Sequence, residues 1–238
     1  MNYIQQHVFV ILTALISSIS YSSAQDVIKA VEVGASFTVY NRAGLVDYLK
    51  AVSDSAQLTT TLGSTPSYGF QLRYLIRKSK IEIEGGLAYS FSLNNVKSAA
   101  GGSVNAKTND IAFILGVNYV PVPFLFVGAQ VIANSFSGNT KLYGDLPTGI
   151  TENIGHPPDA GVNIFRGYSF IGRAQAGFNI PFTAEWNSGM RVFGYYDLGS
   201  GFDFYNTMDN QLASYNGNRK TKTNGWGCGL LFYFGKKQ

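Results

Sequence analysis

Outside the N-terminal segment the chain has one histidine, His156, in the stretch ENIGHPPDAG with Glu152 and Asp159 nearby. A histidine beside a serine and a carboxylate performs acyl transfer, and at a membrane surface that would be deacylation or acylation of lipid A. No serine is spaced to complete such a set, and the prolines and glycines around His156 read as a loop, so catalysis is not expected. Asp203 and Asp209 could hold a cation weakly, but no acidic residue clusters with His or Cys in a ligand spacing, so no metal site is implied. The stretch GGSVNAKT (101–108) lacks the Gly-Lys-Thr spacing of a phosphate loop, and the sequence carries no cofactor motif.

The more informative charges lie in alternating segments. Glu32, Arg73, Arg77, Glu82, Glu84, Arg173, Arg191 and Asp197 occupy the polar side of period-two patterns, four cations against four anions. Every cation is arginine, the better partner for a buried carboxylate. Balanced charge on one face is what a closed polar interior requires.

The elements that must position them are strands, because side chains alternate across a strand with period two. KIEIEGGLAYSF (80–91) puts Ile81, Ile83, Leu87, Tyr89 and Phe91 on one face and Glu82, Glu84, Gly86, Ala88 and Ser90 on the other. The pattern recurs near 31–39, 68–77, 111–119, 125–134, 168–179, 190–198 and 226–234, with Leu75, Ile114, Phe126 and Ile132 as apolar exceptions on the polar side. Eight segments of about ten residues match tilted membrane strands. Short links at Lys78-Ser79, Pro121-Val122-Pro123 and 181–186 alternate with long polar stretches near 41–66, 93–107, 136–165 and 201–222. The reading is an all-β, eight-stranded antiparallel transmembrane β-barrel, an up-and-down meander with short periplasmic turns and long extracellular loops.

Composition agrees. Charged residues are 13% of the chain and aromatics 14%, with 27 glycines, against about 25% charged in ordinary soluble domains. Val8 to Ile16 is nearly unbroken apolar, and Ser22 and Ala24 stand at small-residue cleavage positions, so residues 1–24 read as a secretory signal peptide and 25–238 as the barrel domain. The single cysteine, Cys228, excludes an internal disulfide. The net charge of +4 is scattered, and no nucleic-acid patch is present.

Alternation alone suits a soluble barrel too, with its apolar face inward. The side-chain types decide. A soluble barrel fills its inside with bulk and coats its outside with Lys and Glu. Here the polar face carries Gly, Ser, Asn, Gln and Arg, and the bulky face has aromatic residues near strand ends, like the girdles at lipid interfaces. A two-residue turn at Lys78-Ser79 sets Arg73 directly opposite Glu84, with Arg77 diagonal to Glu82.

The terminal strand GWGCGLLFYFG, the eight strands with alternating short and long connections, and the signal segment resemble small OmpA/OmpX-like outer-membrane β-barrels. Size, the Ser-Ala-Gln processing site and the Asn/Gly-rich loops look closest to the PorT-like barrels of Bacteroidota. The resemblance implies a Gram-negative outer-membrane location and recognition by the barrel-insertion machinery through a near-terminal aromatic, here Phe234. It implies contact with outer-membrane lipid and lipopolysaccharide, and a link of some members to a secretion system for surface proteins.

The expected function is that of a monomeric, non-catalytic outer-membrane barrel with a side-chain-filled lumen, structural or surface-binding through loops that carry Tyr143, Tyr205 and Tyr215. The alternatives are a lipid-modifying enzyme built on His156 and a conduit for a small hydrophobic ligand.

Overall fold

The computed structural model describes residues 27–41, 58–59, 65–98, 103–143, 165–184, 187–203, 205–206 and 220–237. The proposed signal peptide, His156, Glu152, Asp159, Asp209, Tyr143's side chain and Tyr215 lie outside the residues, or side chains, so described.

Eight long strands carry the fold: β1 Val27–Asn41, β2 Thr65–Lys78, β3 Ile81–Ser98, β4 Ser103–Val122, β5 Leu125–Tyr143, β6 Phe165–Pro181, β7 Ser188–Gly199 and β8 Asn224–Lys237. Each pairs antiparallel with the next, and β8 returns to pair with β1 from Ile28↔Lys237 to Asn41↔Asn224. The meander therefore closes and leaves no free edge. Short pieces add to the loop side: Leu58–Thr59 on β3, Tyr205–Asn206 on β6, and Gly201–Asp203 against Lys220–Lys222.

The register fixes the barrel's shape. The row of paired residues that starts at Ala30 runs through Leu75, Glu84, Gly116, Gln130, Arg173, Asp197 and Gly225 and returns to β1 at Tyr40. One circuit thus climbs from position 30 to position 40, ten residues. With a rise of about 3.3 Å per residue and strands about 4.8 Å apart, that climb over eight strands tilts them by about 40°. A barrel of this size has an interior that side chains just fill, the small OmpA/OmpX-type architecture.

Two turns differ from the expected ones. Lys78 pairs with Ile81, so the first hairpin turns at Ser79-Lys80, not Lys78-Ser79. Ser79 has a φ of 56°, the left-handed value that a two-residue hairpin tip needs. The register consequently moves by two residues: Arg77 opposes Glu82, and Arg73 opposes Gly86 rather than Glu84. The second turn falls at Pro123-Phe124, because the pairing shifts between Tyr119 and Val122 before Val122 meets Leu125. Pro121, which has no N–H to give the ladder, lies within that irregularity.

The expected long connections are shorter than they read. The 93–107 stretch is mostly ladder, since Leu93 to Lys97 pair with Ser103 to Lys107, and β5 continues to Tyr143.

Polarity is inverted relative to a soluble barrel. Glu32, Glu82, Glu84, Arg73, Arg191 and Asp197 are buried, while Phe70, Leu72, Phe113, Val131, Phe170 and Trp226 are exposed on the outside. Val33, Leu72, Leu87, Val117, Val131 and Leu230 form an outward aliphatic belt. Tyr119, Phe124, Phe178, Phe182 and Phe234 border it on the short-turn side, and Tyr68, Tyr89, Tyr168 and Trp226 on the other. An apolar band between aromatic girdles is the surface that a hydrocarbon slab demands.

Candidate functional site

All eight charged positions singled out above face the lumen, and seven of them are buried by whole-residue exposure. The eighth, Arg77, sits nearest the short turns with its side chain 13% exposed.

The strand tilt gathers six of them into one layer. Arg191, on β7, is the hub. Its Nη2 donates to Glu82 Oε2 at 2.8 Å, its Nη1 lies 3.1 Å from Glu32 Oε1 and 3.6 Å from Glu84 Oε2, and its Nε donates to Asn179 Oδ1 at 2.9 Å. Arg73 Nη1 donates to Glu84 Oε2 at 3.2 Å, and its Nη2 to Gln71 Oε1. Arg77 Nε donates to Glu82 Oε1 at 2.6 Å. Three arginines therefore meet three glutamates. The expected Arg73–Glu84 and Arg77–Glu82 pairs both form, with direct and diagonal roles exchanged by the two-residue shift.

Amides complete the layer. Gln130 Nε2 and Gln175 Nε2 donate to Glu84 Oε1 at 2.5 and 2.8 Å, and Asn118 Nδ2 donates to Glu82 Oε2 at 3.3 Å. Glu32 is the exception: its carboxylate has the Arg191 ion contact but no aligned hydrogen bond.

Toward the loop side, Arg173 and Asp197 form a separate pair. The contact is bidentate, with Nε to Oδ1 at 2.6 Å and Nη2 to Oδ2 at 2.8 Å. Such a fork-to-fork pair is the stronger and more directional kind. Asp110, which the sequence reading did not single out, is also buried and accepts from Asn134 Nδ2 at 2.9 Å.

Aromatic rings inside the lumen form the part that sequence reasoning missed. Arg173 lies over the Tyr195 ring at 3.7 Å, Arg191 over Phe126 at 4.3 Å and Arg73 over Phe193 at 5.4 Å. A desolvated guanidinium over a ring face gains cation–π attraction. Phe126, Phe193, Tyr195, Val120 and Leu231 form one buried cluster, and Ile114, Ile132 and Ile171 another. Three of the apolar exceptions, Ile114, Phe126 and Ile132, are in these clusters, and Leu75 packs in a third with Ala30 and Tyr233. The breaks in alternation were the signal for an apolar filling.

The glycines of β8 make room for it. A Cβ on Gly227 would meet the Tyr195 ring at 2.5 Å, and one on Gly229 the Phe193 ring at 2.4 Å. In GWGCGLLFYFG the lumenal positions Gly225, Gly227 and Gly229 are therefore small because rings from neighbouring strands lie over them.

Above the ion layer is a cavity of about 30 Å³ bordered by Thr38, Gln71, Asp110, Asn134, Ile171 and Arg173. That exceeds the roughly 10–15 Å³ that one water molecule needs. The chemistry on offer is charge neutralisation and packing. Glu82 and Glu84 are each engaged by arginine, Glu82 by Arg77 and Arg191 and Glu84 by Arg73.

Closure, inverted polarity and an ion-filled lumen define an integral outer-membrane-type β-barrel, since only closed barrels and helices satisfy every backbone polar group in hydrocarbon. The protein is accordingly one of the cell outer membrane. No protein-family model matches the chain, and no curated protein sequence matches it. Solved structures similar to it include Ail, the attachment invasion locus protein of Yersinia pestis, at 9% identity over 87% of this chain and 98% of that one, with a TM-score of 0.42. The outer membrane protein OprG of Pseudomonas aeruginosa is 14% identical over 89% and 96%, TM-score 0.36. The outer membrane protease OmpT of Escherichia coli is 10% identical over 92% and 100%, TM-score 0.38. These are likenesses only, and the assignment rests on the register, closure and polarity described above.

Proposed function

We propose that the protein is a non-catalytic outer-membrane barrel that works by holding a surface in place and does not pass solute through its lumen. The observation that carries this reading is the Arg191 layer, in which side chains from β1, β2, β3 and β7 meet across the lumen at ion-pair distance. Opening a path would break several desolvated ion pairs at once, each break leaving a buried charge unpaired. The working surface is then the long-loop rim, rich in Asn, Ser, Thr, Gly and Tyr, a composition suited to adaptable binding.

Planar-bilayer recording of the refolded protein should be silent, and liposomes carrying it should not take up a small hydrophobic dye faster than empty ones. Stable conductance steps, or accelerated uptake, would contradict the closed lumen. Intact cells treated with trypsin should show cleavage after Arg219, Lys220 or Lys222; protection would reverse the topology. Lipid A from overexpressing cells should be unchanged, and a modification lost in His156→Ala would replace this reading with an enzymatic one. The PorT-like resemblance adds a secretion system for surface proteins as the partner. Deleting the gene should then deplete surface proteins, and an unaltered surface proteome would count against that link.

A further inference from the structure

On the loop side of the Arg191 layer, small side chains adjoin on neighbouring strands. Ala88 on β3 is directly opposite Ala112 on β4, and Gly69 on β2 is directly opposite Ser90 on β3. Ser36, Ala88, Ser90 and Ala112 face the lumen and are still partly accessible, whereas their lumenal neighbours Gln71, Asp110 and Asn134 are buried. The space they leave is the cavity of about 30 Å³. Toward the loops it is followed by buried Phe136 and by Ser92 and Thr108, hydrogen-bonded to each other. Toward the short turns it ends on Ile114, Ile132 and Ile171, and on Gln71, which accepts from Arg73.

Two polar groups on its wall are incompletely bonded. Arg173 gives Nε and Nη2 to Asp197, and its Nη1 has no hydrogen-bond partner among the described residues. Asn134 gives Nδ2 to Asp110, and its Oδ1 has none either. Both residues are only 6% exposed, and both border the cavity. Buried polar groups are satisfied by protein or by ordered water. One of these two groups is a donor and the other an acceptor, so the occupant must accept and donate at once. An anion is repelled by Asn134 Oδ1, a cation is repelled by the Arg173 guanidinium, and an alkyl group serves neither.

We propose that this chamber is a hydration site that holds about two resident water molecules. One of them accepts from Arg173 Nη1 and donates to Asn134 Oδ1. Each water needs about 10–15 Å³ and two to four polar partners, and Thr38, Ser90 and Asp110 on the same wall offer the remaining contacts. The bridging water joins the Arg173–Asp197 pair to the Asn134–Asp110 pair in one network. The claim is separate from the closed lumen, which a dry chamber would satisfy equally.

The test is water-to-methyl nuclear Overhauser spectroscopy of the refolded full-length protein in deuterated nanodiscs, with the alanine methyl groups labelled. Ala88 and Ala112 should show cross-peaks to water with the sign of a long-lived complex, and outward-facing Ala129 and Ala174 should show none. The peak at Ala88 should be lost in Ala112→Val, which fills the space. Both peaks should be lost in Asn134→Leu, which removes the acceptor. Added glycerol should change neither, because the cavity has no room for it. Heat-modifiable gel migration identifies the folded variants, and the wild-type spectrum decides alone if neither folds. Absence of water cross-peaks at Ala88 and Ala112 in wild type would overturn the proposal. So would peaks that persist in folded Ala112→Val or Asn134→Leu, or peaks that glycerol replaces.

Discussion

At the residue scale, Arg191 is the group on which the lumen turns. It faces Glu32, Glu82 and Glu84 while stacking on Phe126. Removing one partner from a buried ion network leaves the others desolvated and uncompensated, at a cost of about 3–5 kcal/mol. Arg191→Ala should therefore lower the unfolding free energy by about that amount in urea titrations of vesicle-reconstituted protein. Arg77→Ala should cost clearly less, because Arg77 reaches solvent and Glu82 keeps Arg191. Equal effects of the two substitutions would mean that the layer is not organised around Arg191.

At the element scale, what could be read in the sequence and what could not have distinct physical origins. Eight strands were legible because one face meets lipid, which imposes strict period-two hydrophobicity. Outside the hydrocarbon both faces meet water, so the signal fades. That is why Leu93 to Ser98 and Ser103 to Lys107 read as loop although they are paired strand. Charge complementarity could not choose the register, since a two-residue slip leaves Arg73, Arg77, Glu82 and Glu84 on the same face within reach of one another. The turn chooses it, and the left-handed Ser79 marks the place. A non-glycine residue in that region costs about 1–2 kcal/mol, so Ser79→Gly should raise stability by up to about 1 kcal/mol after glycine's added unfolded-state entropy. A destabilised Ser79→Gly would place the turn elsewhere. The aromatic filling was hidden for another reason. Phe193 and Tyr195 sit on the polar side of β7, and the space for them is supplied by glycines on β8, a relation between strands that alternation within one strand does not encode. Gly229→Val should push on the Phe193 ring and destabilise the barrel by about 1–3 kcal/mol, seen as a lower temperature of the heat-modifiable transition; an unchanged transition would show that the ring is not over β8.

At the scale of the whole molecule, the lumen and the outer wall perform separate tasks. Inside, ion pairs and rings hold eight strands to one shape. Outside, the apolar belt sets depth in the bilayer, with Tyr68 packed on Phe37 at 5.4 Å and on Phe91 at 6.1 Å at its loop-side margin. A wall that is rigid and closed suits a scaffold, and it leaves specificity to the rims. The central claim is that the greasy face meets lipid, and the chain's single cysteine, Cys228, reports on it without any substitution. Cys228 is exposed on the outer wall, between lumen-facing Gly227 and Gly229. The decisive measurement is collision accessibility of a nitroxide attached to Cys228 in vesicle-reconstituted protein. Frequent collision with oxygen and almost none with a water-soluble nickel complex is the predicted result; ready collision with nickel would contradict a membrane barrel.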